Sequence, residues 1–177
     1  MKTNPIIDYL NNLASSGFSG EQKNYHVQRA KDARPVECVR LVDVFTPEQI
    51  SFLQKHYKPQ VKQCYKNAAD LVMLMSQLRF MFREPAKYVE GISMNIWPID
   101  HAFVKVGSRY IDPTYEMVLN KDVRKEKYVS LIELDPVMMG QYLVDSGYYG
   151  NLYQHKYILD HYPESAAKLQ ALKGHGI

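Results

Sequence analysis

A two-residue loop, Gly107-Ser108, constrains the fold of this chain more than any other sequence feature. Glycine in the first position of such a loop favours a type II′ turn, because that turn needs a positive φ there. The turn fixes the register of the strands predicted on either side of it, His101–Val106 and Arg109–Asp112. Once the register is fixed, each side chain of this hairpin is assigned to one face of an antiparallel sheet.

The two faces of the predicted hairpin differ in chemistry. The apolar face, suited to a core, holds Ala102, Val104, Val106 and Ile111. The other face holds His101, Phe103, Tyr110 and Asp112. His101 and Asp112 are then diagonal cross-strand neighbours. Their backbone positions are roughly 7–8 Å apart, which allows an imidazole–carboxylate hydrogen bond between the side chains. Pro113 restricts Asp112 to extended geometry and so fixes the direction of its carboxylate.

A stripe of apolar residues at spacings of four and three predicts an amphipathic helix before the hairpin. Its members are Cys64, Ala68, Leu71, Met75, Leu78 and Phe82. Glu84-Pro85 is predicted to end this helix, because proline disfavours helical geometry in the residue before it. Cys64 lies at the helix start, where unpaired N–H groups and the positive dipole end stabilise a thiolate and lower the pKa of the thiol.

Further helices are predicted on both sides of a small set of strands. Before Cys64 we expect a short helix after Asn4-Pro5, followed by a polar segment up to residue 35. A strand-like stretch Val36–Phe45 comes next, and then a helix from Thr46 to about Tyr57 that opens with a capping box. After Glu84 we expect strands Tyr88–Met94 and Tyr128–Leu134, a helix from Asp135-Pro136 to about Asp145 stopped by Gly147, and a helical tail from Asn151 that breaks near Pro163 and closes at Gly174. This order is typical of an α+β fold, and the length suits a single domain over residues 1–177.

Composition argues against several classes of partner. The net charge of +3 is too small and too dispersed to indicate nucleic-acid binding. The longest apolar run, Leu71–Met75, has five residues, too few to span a membrane. Two cysteines cannot build a disulfide scaffold, and the polar N-terminus does not resemble a secretory signal, so we expect a cytoplasmic protein.

Cys64, His101 and Asp112 together favour thiol acyl-transfer chemistry. His101 would take the thiol proton, and Asp112 would orient the ring and stabilise the imidazolium. The Cys64 amide is one oxyanion donor, and the candidates for the second are Gln60, Gln63 and Trp97. Candidate substrate contacts on the hairpin are Phe103 and Tyr110.

These residues resemble the transglutaminase-like branch of the papain-like cysteine peptidase superfamily. The resemblance lies in Cys64 at a helix start, His101 followed by Ala102-Phe103-Val104, and Tyr110-Ile111-Asp112-Pro113-Thr114, with gaps of 37 and 11 residues between the three site residues. It covers residues 60 to 115. It implies a papain-like core over about residues 46–135 with helical extensions, in which Cys64 is the nucleophile, His101 the general base and Asp112 the orienting carboxylate.

The resemblance leaves three functions open. The first is a cysteine hydrolase, a peptidase or amidase that forms an acyl-enzyme on a protein or peptide substrate without a cofactor. The second is a protein-glutamine transglutaminase or deamidase. The third is a catalytically inactive binding domain on the same fold.

Other interpretations need no enzyme. Cys64 could be a small core residue, and Asp112-Pro113 a turn that ends a strand. The same three side chains could bind zinc, although no close ligand pair such as Cys-x-x-Cys supports a metal site. Cys38 is predicted to be a packing residue. A mixed aromatic and basic segment near the C-terminus could stack on nucleic-acid bases or bind a protein partner; it comprises Tyr148, Tyr149, Tyr153, His155 and Tyr157.

Overall fold

The computed structural model describes residues 4–164 and shows an α+β architecture, in which helices surround a curled antiparallel sheet. The strands are β1 (Arg34–Val36), β2 (Ala86–Met94), β3 (Pro98–Val106), β4 (Arg109–Ile111) and β5 (Lys127–Leu134), in the spatial order β1-β5-β2-β3-β4. The helices are α1 (Pro5–Ser15), α2 (Gly20–Asp32), α3 (Pro47–His56), α4 (Cys64–Gln77), α5 (Pro136–Ser146) and α6 (Leu152–His161). The predicted α+β class is confirmed.

The register predicted for the β3–β4 hairpin is confirmed. Val104 pairs with Ile111, and Val106 pairs with Arg109. Gly107 has a φ of 58°, whereas Ser108 does not have a positive φ, which is the pattern of a type II′ turn. The apolar face of the hairpin lies in the main core, against α4.

The opposite face of the sheet carries a smaller core, which we call the aromatic cluster. Its buried members are Cys38, Val89, Phe103, Tyr115, Val123 and Tyr128. The segment after β4 contributes Tyr115 and Val123 to this cluster and so covers the sheet on that side. A third cluster, around Ile6 and Leu10, packs α1 against the sheet.

A β-bulge interrupts the pairing of β2 with β5. The register shifts between Glu90 and Gly91, so that Leu131 is an extra residue in β5. Gly91 is required here, because a Cβ at this position would lie 1.8 Å from the carbonyl oxygen of Val129. Beyond the bulge, Tyr128 pairs with Ser93 and faces the aromatic cluster.

The predicted helix signals after the sheet and before α4 are confirmed. Thr46 and Gln49 form the capping box of α3. The Asp135 carboxylate accepts hydrogen bonds from two N–H groups of the first turn of α5, and Gly147 ends that helix with a φ of 75°.

Three predictions about helices and strands are wrong. The helix that starts at Cys64 ends at Gln77, because Leu78 leaves helical geometry, with a ψ of 47°, and the chain turns before Glu84. The stretch Val36–Phe45 is largely irregular and includes a 3₁₀ turn. The polar segment before residue 35 contains α2, which carries no apolar stripe and whose buried residue is Arg29.

The C-terminal prediction is confirmed in part. Helix α6 ends at His161, just before Pro163, as a proline break requires. Gly174 lies outside the described residues. Within residues 4–164, no helix combines the length and the apolar run that crossing a bilayer would need.

Candidate active site

Cys64 is the first residue of α4, and its side chain is partly exposed. Gln63 precedes it but makes no side-chain cap, so the N–H groups of the first turn are left for other acceptors. The N–H of Tyr65 donates to the Cys64 sulfur. The sulfur therefore lies at the positive end of the helix, which favours the thiolate.

Asn67 fixes the loop that leads into Cys64. Its Oδ1 accepts from the N–H of Gln60 at 2.9 Å, and its Nδ2 donates to the Gln60 carbonyl at 2.8 Å. The same Nδ2 donates to Thr114 Oγ1 at 3.0 Å, two residues after Asp112. One buried amide thus joins the start of α4 to the segment that carries the predicted acid.

His101 lies on β3 and is 2% exposed. Its Nε2 is 2.7 Å from Asp112 Oδ2, and its ring also forms a hydrogen bond with the Cys64 side chain. Since Asp112 occupies Nε2, the nitrogen that serves the sulfur is Nδ1. The structure therefore brings together the three residues that the sequence predicted as a triad.

Asp112 follows β4 directly and is completely buried. Its Oδ2 accepts from His101 and from the Tyr128 hydroxyl, the latter at 3.0 Å. Its Oδ1 accepts from the backbone N–H of Tyr115 at 3.0 Å. Three hydrogen bonds compensate the carboxylate for its loss of water.

The charges of the site favour an ion pair. Burial alone would raise the pKa of Cys64, but the hydrogen bond and charge of His101, with the N–H groups of Ala102 and Tyr65, lower it below its usual value. Burial would lower the pKa of His101, but the charge and hydrogen bond of Asp112 and the contact with Cys64 raise it to about 10. Both shifts favour a thiolate beside an imidazolium.

The N–H of Ala102, which contacts the Cys64 sulfur, belongs to a part of β3 that has no neighbouring strand on one side. Strand β4 ends at Ile111, which pairs with Val104, so the earlier residues of β3 have no strand partner on that side. In an antiparallel strand, the N–H and C=O groups of every second residue point to the same side. Those of Val106 point towards β4, because Val106 pairs with Arg109 next to the turn. Ala102 therefore points to the unpaired side, where its N–H meets the Cys64 sulfur.

Tyr115 covers one side of the His101 ring. The two ring centroids are 4.5 Å apart, and the Tyr115 hydroxyl forms a 2.8 Å hydrogen bond with Ser93. The Lys121 ammonium lies 4.4 Å from the centroid of the Tyr115 ring. The tyrosine excludes water from the imidazole on this side and restricts its rotation.

The three oxyanion candidates lie in different places. Gln63 directly precedes Cys64, and the backbone of Gln60 is tied to α4 by Asn67, so both belong to the loop beside the sulfur. Trp97 is 78% exposed in the turn between β2 and β3. Its backbone is four residues from that of His101 along an extended chain, about 13 Å away, so it is the least suited of the three.

Phe103 does not fit the substrate role predicted for it, whereas the half-buried Tyr110 keeps that role as a prediction. Phe103 has no exposed surface and packs edge-on against Tyr128, with ring centroids 5.3 Å apart, so it cannot contact a substrate. The Tyr110 hydroxyl donates to Glu133 at 2.6 Å, which ties β4 to β5.

The sequence did not identify Asn67, Tyr115 or Tyr128 as part of the site. Asn67 has a sequence signal, because it is a polar residue one turn after Cys64, where its amide can bond to the preceding loop. Tyr115 also had one, since it follows Asp112 by three residues, the spacing at which a carboxylate caps a backbone N–H. Tyr128 had none, because its direction depends on the bulge in β5.

The alternative sites find little support in the described part of the chain. No group of three or more histidine, cysteine or acidic side chains is arranged to hold a metal ion there. The direct hydrogen bond between His101 and Asp112 occupies the nitrogen and oxygen that a shared ion would need. In the C-terminal aromatic segment, Tyr153 and Tyr157 are buried against Tyr25 and so cannot stack on bases.

Cys38 lies in the aromatic cluster, as its predicted packing role requires.

Comparisons of the chain with protein-family models, with curated proteins and with solved structures found no match.

Proposed function

We propose that this protein is a cysteine hydrolase that cleaves an amide bond in a protein or peptide through an acyl-enzyme at Cys64. One observation carries the proposal: a partly exposed cysteine at a helix start is hydrogen-bonded to His101, whose other nitrogen is 2.7 Å from a buried carboxylate. This is the arrangement of nucleophile, base and orienting acid that acyl transfer needs. The papain-like relationship inferred from the sequence motifs is part of the same proposal.

In the first step, the Cys64 thiolate attacks the amide carbonyl and forms a C–S bond. The negative charge moves to the carbonyl oxygen, which the N–H of Cys64 and a second donor from the Gln60–Gln63 loop stabilise. The His101 imidazolium gives its proton to the leaving nitrogen, the C–N bond breaks, and the amine departs. A thioester and a neutral imidazole remain.

In the second step, the neutral imidazole removes a proton from water, and the resulting hydroxide attacks the thioester. The C–S bond breaks, the carboxylic acid product leaves, and the thiolate and imidazolium are restored. Asp112 stays ionised throughout and holds the ring in one orientation. No cofactor takes part in either step.

The proposed substrate must bring its carbonyl to the sulfur of a partly exposed cysteine beside a buried ring. His101 is almost inaccessible, so approach to the site is from the start of α4, where Cys64 is partly exposed. We propose a cytoplasmic location, because the activity needs Cys64 as a free thiol and a reducing compartment maintains free thiols.

The experiment is to incubate the protein with a denatured proteome digest and to analyse the products by mass spectrometry. We expect new chain ends that are absent with the matched variant Cys64→Ala. Attachment of an added amine to glutamine, or deamidation without cleavage, would replace hydrolysis by the transglutaminase or deamidase alternative. Identical products from the parent and Cys64→Ala would contradict all three activities and leave the binding-domain alternative.

A further inference from the structure

Tyr128 contacts the triad at Asp112, which the His101 ring separates from Cys64. It lies on β5, is fully buried, and its hydroxyl donates to Asp112 Oδ2 at 3.0 Å. The same oxygen is 2.7 Å from His101 Nε2. Two donors therefore share one carboxylate oxygen, and one of them belongs to the proposed base.

The β-bulge determines the direction of Tyr128. Counted back from the pair Tyr88–Leu134 without an extra residue, Tyr128 would lie opposite Met94 and point to the other face of the sheet. With Leu131 bulged out, Tyr128 lies opposite Ser93 instead, on the face of His101. The missing side chain of Gly91 lets β5 approach closely enough for this register.

We propose that Tyr128 is a positioning residue of the triad, whose hydroxyl holds the Asp112 carboxylate in the orientation that serves His101. The proposal rests on the proposed function, because it assigns a role within that site. The N–H of Tyr115 fixes one carboxylate oxygen and the Tyr128 hydroxyl the other, so rotation of the carboxylate is blocked at both ends. The remaining lone pair of Oδ2 is directed at the imidazole.

Sharing Oδ2 also has an electrostatic consequence. A hydroxyl that donates to this oxygen reduces the negative charge that His101 experiences, so it keeps the pKa of His101 lower than Asp112 alone would set it. Burial and the charge of Asp112 raise the pKa of Tyr128 far above its usual value, so its hydroxyl remains a donor across the pH range of a titration.

The titratable groups around Asp112 come from several elements. They are His101 on β3, Tyr128 on β5, Cys38 after β1, Tyr57 after α3, and Tyr115 and Glu116 after β4. Among the described residues, the side chains that donate to the Asp112 carboxylate are those of His101 and Tyr128. Loss of the Tyr128 hydroxyl therefore leaves His101 as the side-chain donor to Asp112 and also removes the contact of that hydroxyl with Cys38.

The test is an NMR titration of the His101 ring in the full chain. We expect Tyr128→Phe to raise the pKa of His101 by about one unit, because Oδ2 then has one donor fewer. The matched control is Tyr88→Phe, which removes another buried hydroxyl from a carboxylate, Glu90, on the opposite face of the sheet. That control should leave the titration of His101 unchanged, although it also loses a buried hydrogen bond.

A second variant keeps the test decisive if Tyr128→Phe does not fold. Replacement of Tyr128 by 3-fluorotyrosine makes the phenol a stronger donor and should lower the pKa of His101. An unchanged pKa, or a shift in the opposite direction, in whichever variant folds overturns the positioning role. Because the titration reads His101 and not turnover, it separates this inference from the proposed function: a chain that cleaves nothing can still show the predicted shifts, and an active one can lack them.

Discussion

The surroundings of the two cysteines, Cys64 and Cys38, differ in every property that controls thiol reactivity. Cys64 is partly exposed, lies at a helix start, and contacts His101 and two backbone N–H groups. Cys38 is buried in the aromatic cluster, near the negative charge of Asp112. The first environment lowers the pKa of the thiol below its usual value, whereas the second raises it well above.

Asp112 acts on both cysteines, and in opposite directions. Its charge opposes a thiolate at Cys38 directly. It favours a thiolate at Cys64 indirectly, because it keeps His101 protonated. Asp112 thus adds to the effect of burial in raising the pKa of Cys38 and supports the imidazolium that lowers the pKa of Cys64, so the two cysteines form an internal pair of test and control.

The largest expected effect is the difference in alkylation rate between the two thiols of the folded protein. At pH 7, iodoacetamide should label Cys64 at least about a thousandfold faster than Cys38, which reacts only when the cluster opens. Peptide mapping by mass spectrometry gives both rates in one sample. In denaturant the two rates should converge, and similar rates in the native protein would show that the surroundings of the two thiols do not control their reactivity.

Asp112→Asn should slow the alkylation of Cys64, speed that of Cys38, and destabilise the fold. The native state should lose about 3 kcal/mol at neutral pH, because a buried pair is broken. The pKa of His101 is raised in the folded state, so its contribution to stability is complete below about pH 6.5 and is lost as pH rises through about 10.

Chemical denaturation at a series of pH values checks this prediction. The difference in unfolding free energy between the parent and Asp112→Asn should be largest near about pH 6 and shrink towards pH 10. A difference that does not change with pH would mean that Asp112 stabilises the fold without interacting with a protonated His101.

His101→Ala isolates the part of the difference in labelling rate between Cys64 and Cys38 that the imidazole causes. Labelling of Cys64 at pH 6 should fall about tenfold or more, since each unit by which the pKa of the thiol rises removes nine-tenths of the thiolate. Labelling of Cys38 should not change. His56→Ala, at an exposed position on α3, is the control for loss of a histidine. Equal labelling of Cys64 in the parent and in His101→Ala would exclude activation by the ring.

Local rules were sufficient to predict the half of the site that the hairpin carries. Gly107 sets the turn, the turn sets the register, and the register places His101 and Asp112 on one face. The cap signals at Thr46 and Asp135 are equally local and gave the correct helix starts. Each of these predictions depends on a few consecutive residues.

The rest of the site depends on contacts between distant segments. Tyr128 reaches Asp112 because Leu131 bulges where Gly91 allows a close approach, and no pattern within β5 reveals this. Helix α2 was missed for a related reason. It packs through Tyr25 against Tyr153 and Tyr157 of α6, and Arg29 forms an ion pair with Asp100. It therefore lacks the apolar period that predicts an amphipathic helix.

The smallest expected effect is that of Cys38→Ala. Removing a buried sulfur from the aromatic cluster should cost about 1 kcal/mol of stability, as small deletions in a core do. The labelling rate of Cys64 should stay the same, because the Asp112 carboxylate keeps its bonds to His101, Tyr115 and Tyr128 when the Tyr128 hydroxyl loses its contact with Cys38. A slower reaction at Cys64 in this variant would show that the cluster transmits packing changes to the triad, in which case Cys38 is not an independent control.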